Sequence, residues 1–422
     1  MTELPAGLSA GLSAGLPVDL DALDLADPRT FRAHDQYAIW RRLRAEAPVF
    51  WNAPRGGRPG FWALTRYDDI MAVYKDDDHF TSERGNVLTT LLAGGDSAAG
   101  RMLAVTDGKR HQDLRNVFLK AFSPRALSYV AERVRENTRA RVRAGVEMGA
   151  CDFARDVAEK IPINTICDLL GVPEGDEHRD HLLDLTKTAL SSDEVDADDE
   201  DAAEASLEAR NEILMYFDDL VTEHRRTPKD DVIGAMVASS IDGVPLTDDD
   251  IVFNCYSLII GGDETSRLTM IGTVPAMVGH PEQWAAYRAG EIETKTAVEE
   301  ILRWVSPAMH FGRSALKDVT VRGTKIAAGD IVTLWNSSAN RDEDVFDGPE
   351  RLDLRRFPNR HATFGYGPHF CLGAYLGRTE VGAMLEALRE FVAEMHITAE
   401  PEPVHSNLLS GISSLQVKLL PA

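Results

Sequence analysis

The sequence predicts a mainly α-helical protein with small β-sheets, and three observations carry that reading. Charged stretches repeat apolar residues at helical spacing. Short runs of β-formers stand apart from them, bounded by Gly and Pro. One segment, Ile251 to Val278, is apolar on nearly every side, as a helix crossing a core must be. With 422 residues, 44% of them hydrophobic, the chain has the material for such a core.

In chain order, residues 7–16 repeat as GLSAGLSAGL, too poor in large apolar groups to pack, so residues 1–20 are expected to be a flexible leader. Val49-Phe50-Trp51 and Phe61-Trp62-Ala63-Leu64 flank a Pro/Gly/Arg cluster and predict a hairpin. Ser123-Pro124 is a cap with proline in the first turn, and Leu127, Val130, Val134 and Val142 mark one face of the helix that follows. Residues 193–204, DEVDADDEDAAE, repel one another and predict a solvated loop or frayed helix. Thr247 to Asp250 resembles a capping box opening the apolar segment, whose interior Gly261-Gly262 and Pro275 are costly in a helix. Val319 to Val321 and Ile331 to Trp335 predict strands around turns at Gly323 and Gly329, and Leu415, Val417 and Leu419 alternate as a last strand.

Charge and cysteine usage narrow the function. Lys plus Arg total 45 against 68 Asp plus Glu, and the net charge of −23 opposes general affinity for nucleic acid or anionic lipid. No basic-then-apolar segment opens the chain and no stretch is apolar for the length of a bilayer, so a cytoplasmic protein without a membrane anchor is expected. Cys151, Cys167, Cys255 and Cys371 are too far apart for a CxxC knuckle. The first three are expected to be small buried hydrophobes.

Cys371 differs because Phe364-Gly365-Tyr366-Gly367-Pro368-His369-Phe370-Cys371-Leu372-Gly373 sets three glycines and a proline around it and then runs into a helical pattern at Ala374–Leu388. Glycines let backbone approach a flat ligand, and a helix N-terminus favours negative charge on sulfur. Here the sequence resembles the cytochrome P450 monooxygenases, whose haem signature F-x-x-G-x-x-x-C-x-G is matched by Phe364, Gly367, Cys371 and Gly373. Companion motifs follow in order. Glu300-Ile301-Leu302-Arg303 is similar to the family's E-x-x-R, with Arg356 in the place of the arginine completing its ion network. His111 to Arg115 is similar to H-x-x-x-R, whose basic side chains meet haem propionates, and Arg313 and His369 fall at the other propionate positions.

The resemblance implies one cytochrome P450 domain over residues 21–422, with haem b (iron protoporphyrin IX) between the long helix and the cysteine loop, and Cys371 as the iron ligand. A thiolate ligand favours O–O cleavage, which also needs protons. Gly261-Gly262-Asp263-Glu264-Thr265 resembles [AG]-G-x-[DE]-T, implying an oxygen groove at Gly261 and Gly262 and a proton relay through Glu264 and Thr265. The same resemblance implies a pocket drawing on the loop before His111, on Leu258 and Ile259, on Ala308, Met309, His310 and Phe311, and on Gly411 and Ile412. His310 could meet a polar substrate group or be a packed histidine.

The chain carries no dinucleotide, flavin or iron–sulfur motif, so a separate ferredoxin and ferredoxin reductase are implied, supplying electrons from NAD(P)H. Lys109, Arg110, Arg355, Arg360 and Arg378 could form a basic docking patch or be scattered solvated charges. The resemblance points first to oxidation of a secondary-metabolite intermediate of peptide or polyketide type, carrier-bound or free. A steroid or terpenoid hydroxylase comes second, and a non-catalytic haem-thiolate sensor is the alternative of another class.

Overall fold

The computed structural model describes residues 18–191 and 200–422. Most of the expected leader and residues 193–199 of the acidic run lie outside the described residues. Val18 is buried with Leu23, Leu25, Ile39 and Trp40, so the fold begins inside the 1–20 leader boundary.

The expected hairpin is present as β1 (Val49–Asn52) and β2 (Phe61–Leu64), paired antiparallel with Phe50 opposite Ala63. The short β3 (Phe80–Thr81) follows, then the helices α1 (Gly108–Ala121) and α2 (Pro124–Met148). Ser123 caps α2 through its hydroxyl, and Val130, Val134 and Val142 face the core. After β4 (Ala150–Asp152) come α3 (Lys160–Leu170), α4 (Asp176–Ser191) and α5 (Glu200–Arg226). Residues 200–204 of the acidic run thus open a helix.

The apolar segment forms α6 (Asp248–Gly279), entered through a full capping box between Thr247 and Asp250. It passes unbroken through Gly261-Gly262 and Pro275. Flanked by α3, α5 and α7 (Thr294–Val305), it carries buried residues on every side, which explains its lack of a polar face. Two apolar cores meet along it, one around Ile251, Cys255 and Ile259, the other around Met270, Ile271 and Val274.

The strands β5 (Phe311–Ala315), β6 (Val319–Val321), β7 (Thr324–Ile326) and β8 (Ile331–Leu334) follow, with Gly323 turning β6 into β7. The main sheet runs β1-β2-β8-β5-β3, with β8 parallel to β2 and antiparallel to β5. This register sets Arg313 opposite Val332 and places Phe311 and Arg313, two residues apart, on one face. The cysteine loop leads into α8 (Ala374–Phe391), and β9 (Val392–Ile397) pairs with β10 (Gln416–Pro421) and, through it, with β4. No helix among the described residues is long and apolar enough to cross a membrane.

Candidate active site

The cysteine loop is held by backbone geometry that only glycine tolerates at one point. Gly367 has a φ of 71°, and a Cβ there would sit 2.3 Å from the Tyr74 carbonyl oxygen. The Cys371 N–H donates to the Phe364 carbonyl at 2.9 Å, closing the loop, and the helix begins three residues later. The Cys371 side chain opens into a cavity of about 310 Å³. Surrounding protein pushes its thiol up, while the Gly373 N–H and the Arg115 and Arg378 guanidinium groups oppose that rise. Arg115 donates to the Phe370 carbonyl at 2.8 Å, and Arg378 lies 4.6 Å over the Phe364 ring.

Behind the loop, Glu300, Arg303 and Arg356 come together as one buried network. Arg303 grips both Glu300 oxygens at 2.8 Å, Arg356 Nε adds a bond at 3.1 Å, and Asn359 and the Asp353 N–H complete the carboxylate's shell. Every lone pair so occupied ties α7 to the segment that leads into the cysteine loop.

Four expected haem contacts line the cavity wall: His111 and Arg115 on α1, Arg313 on β5 and His369 in the loop. His111 Nε2 is buried with no hydrogen-bond partner among the described residues, and burial lowers the imidazole's pKa to about 4. Arg313 is buried with a bond to the Gly312 carbonyl at 2.7 Å and no ion pair among the described residues. An orphaned imidazole nitrogen and an unpaired buried guanidinium on one cavity suit a ligand bearing carboxylates, as a haem does. His369 is already engaged, its Nε2 lying 2.8 Å from Asp107 Oδ1 and its ring 4.2 Å from that of His111.

Gly261, Gly262 and Thr265 of α6 line the same cavity as the thiol. A Cβ on Gly261 would meet nothing within 4 Å, so this glycine leaves open space. Gly262 does something else: a Cβ there would lie 2.5 Å from Ile166 Cδ1, and its missing side chain lets α3 pack. The helix keeps its regular path, and the Thr265 hydroxyl donates to the Gly261 carbonyl at 3.0 Å. Glu264, expected beside Thr265 on the cavity, is absent from its wall; the carboxylate is buried in an ion pair with Arg267, with Nε at 2.9 Å.

The distal wall includes Leu258, Ala308 and Phe311 as expected, with Leu103 and Ala104 from the loop before His111. Ile259, Met309, His310, Gly411 and Ile412 do not line it. Ile259 and Met309 point into apolar cores, Gly411 packs on Leu268, and Ile412 joins the core beside α8. His310 is a packed histidine, 4.5 Å from the Trp335 ring, with Nε2 accepting the Leu88 N–H at 3.3 Å.

Sequence reasoning missed two buried acids near the cavity. Glu380 of α8 reaches the cavity wall beside Thr165 and Ser266, and burial pushes its carboxyl up to about 7 against the pull of those two hydroxyls. Asp263, also pushed up to about 7 by burial and by neighbouring Glu264, is 3.1 Å from the Thr186 hydroxyl, and its Oδ1 has no partner among the described residues. The available signal for Glu380 was a lone acid within the apolar run around Val381 to Leu385.

A mainly helical fold in which a cysteine on a glycine-shaped loop shares one cavity with a long apolar helix and with buried basic side chains is the frame of a haem protein. The chain belongs to the cytochrome P450 family, whose model matches residues 50–419, and it is a monooxygenase of that family with a haem-iron cofactor. It is 46% identical to cytochrome P450 NovI of Streptomyces niveus, covering 96% of this chain and 98% of the relative. It is 30% identical to the steroid C26-monooxygenase of Rhodococcus jostii, covering 94% and 84%. The crystal structure of P450 OxyD, involved in the biosynthesis of vancomycin-type antibiotics, superposes with a TM-score of 0.84 at 36% identity, covering 95% of this chain and all of that one.

Proposed function

We propose that this monooxygenase hydroxylates a secondary-metabolite intermediate, an amino acid or peptide loaded on a carrier protein being the first candidate, with haem b as the cofactor. The observation that carries the reading is the cavity itself, which is lined by Cys371 of the glycine loop together with Gly261 and Thr265 of α6. Likeness at 36% identity to OxyD, involved in the biosynthesis of vancomycin-type antibiotics, favours secondary-metabolite chemistry over steroid oxidation, whose relative is 30% identical.

Bound haem would supply iron that activates dioxygen, with Cys371 as thiolate ligand. His111, Arg115 and Arg313 would hold its carboxylates, and His369 positions the loop through Asp107. Thr265 offers a hydroxyl one turn from Gly261, hydrogen-bonded to the Gly261 carbonyl, and keeps a proton donor at that point of the cavity. Leu258, Ala308 and Phe311 exclude water from the substrate side. The expected single domain over residues 21–422, extended to Val18 by its buried side chain, acts as one unit, since both cores share α6.

Electrons come from a separate ferredoxin and its reductase. The basic cluster offered for docking is largely spent within the chain: Lys109 pairs with Asp113 and Asp242, Arg110 with Asp250, Arg355 with Glu291 and Arg378 with Glu299. The surface beside the cysteine loop instead exposes Phe357, Tyr366, Phe370 and Tyr375.

A mostly apolar distal wall keeps the steroid or terpenoid reading as the second. The holoenzyme is titrated with a carrier-loaded amino acid, the free amino acid and a steroid, following displacement of haem-bound water in the absorption spectrum. A response confined to the steroid overturns the first reading. A reduced, carbon monoxide-bound spectrum of globin type overturns the haem-thiolate assignment itself.

A further inference from the structure

The loop before His111 is fastened to α6 mainly by one side chain. Residues 98–106 hold a single 3-10 turn, Leu103–Val105, and no strand or α-helix, so their backbone N–H and C=O groups need other partners. Some bond within the loop: the Gly100 N–H donates to the Val105 carbonyl at 3.1 Å and the Thr106 hydroxyl to the Met102 carbonyl at 2.7 Å. Two others are met by Asn254, which is 2% exposed. Its Oδ1 accepts the Leu103 N–H at 2.8 Å, while Nδ2 donates to the Arg101 carbonyl at 2.8 Å and to the Asp250 carbonyl within α6 at 2.6 Å. Both amide hydrogens are used, which leaves Asn254 no donor for a substrate.

Packing repeats the connection. Ala98, Met102 and Val105 form a small apolar cluster with Phe253 and Tyr256, neighbours of Asn254 on α6. Arg101 also pairs with Asp249 at 2.7 Å, although a solvent-exposed pair of this kind adds little. Leu103 and Ala104, on the turn that Asn254 holds, line the catalytic cavity together with Ser257 and Leu258, three and four residues beyond Asn254.

We propose that Asn254 is a specificity-determining positioning residue: by clamping the turn at Arg101 to Leu103 onto α6, it fixes how far the loop wall of the cavity stands from the helix wall and so limits the bulk of the substrate. The proposal rests on the haem-bearing monooxygenase reading. A wall ordered before binding adds little entropic cost for a substrate that fits. A wider substrate has to displace the turn, which leaves the Leu103 N–H, the Arg101 carbonyl and the Asn254 amide without partners.

The test uses the haem-loaded enzyme and two azoles whose nitrogen binds haem iron, imidazole and the bulky 1-tritylimidazole, with Kd read from the shift of the absorption band. Asn254→Leu should leave imidazole binding within about twofold and tighten 1-tritylimidazole about tenfold, because a released wall admits bulk. Leu103→Ala should act in the same direction by shortening that wall. In the double variant the gain should not exceed the larger single gain, since both changes act on one wall. Asn254→Asp keeps an acceptor for the Leu103 N–H and should keep the discrimination between the two azoles, a comparison that stands even if Asn254→Leu fails to fold. Additive gains, an unchanged preference in Asn254→Leu, or 1-tritylimidazole binding as tightly to Asn254→Asp as to Leu103→Ala would each overturn the clamp. Failure of the parent reading looks different: the spectrum of the unaltered enzyme then does not respond to imidazole at all.

Discussion

Gly262 and Ile166 touch so closely that a Cβ on Gly262 would sit 2.5 Å from Ile166 Cδ1, while the preceding Gly261 faces open space. The two glycines of α6 therefore serve different ends, one helix packing and the other the cavity.

Gly262→Ala is expected to push α3 from α6 and to destabilise the protein by about 1–3 kcal/mol, the usual cost of overpacking. Gly261→Ala should fold as well or better, because alanine is favoured in a helix interior by up to about 1 kcal/mol. Urea unfolding of the two variants measures the difference. Equal losses would contradict the division of roles.

Cys371→Ala should abolish the red-shifted band of the reduced, carbon monoxide-bound enzyme, since no thiolate then faces the cavity. Thr265→Ala should keep the band and raise the hydrogen peroxide released per NAD(P)H consumed. Tight coupling in Thr265→Ala would remove Thr265 from proton handling.

The local parts of this site were legible in the sequence because they lie close together along the chain. The glycine spacing around Cys371, the i, i+3 pair of Glu300 and Arg303 and the cap at Thr247 all act within a few residues. Facing relationships were harder. Leu258 reaches the cavity while Ile259, about 100° further round α6, enters the core, and Met309 and His310 turn away between Ala308 and Phe311. Glu264 has an arginine three positions on, a pairing readable from sequence but outweighed by the family motif. Glu380 becomes meaningful only when α8 meets α3 and α6, contacts that no local pattern encodes.

The Glu264–Arg267 pair is expected to be a stability element. Glu264→Gln leaves the buried Arg267 guanidinium without its ion-pair partner and should destabilise by about 3 kcal/mol, as breaking a buried pair from one side does. Adding Arg267→Met should recover part of that loss, because the uncompensated charge is then gone. Urea unfolding of the four proteins in the cycle gives the coupling. Additive losses would show that the pair does not act as a unit.

Asp107 gives a pH dependence with a definite sign. Its carboxylate accepts from Thr81 Oγ1 at 2.6 Å and the Ser82 N–H at 2.7 Å and faces His369 Nε2 at 2.8 Å. Burial alone would raise its pKa; the bonds from His369, Thr81 and Ser82 outweigh burial and bring it to about 2, below the ordinary 3.8. Between those two values the unfolded chain binds the proton more readily, so stability rises with pH across that window. The contribution is fully present above the unfolded value and is lost as pH falls from 3.8 toward about 2. Allowing for solvent at this partly exposed group, it amounts to roughly 1–2 kcal/mol. Asp107→Asn should therefore be less stable at pH 7 and should show a shallower loss between about pH 4 and pH 2. Unfolding free energies of the haem-free protein and the variant, measured in urea across that range, test this directly. Parallel curves would mean that Asp107 is not held as a carboxylate by Thr81, Ser82 and His369.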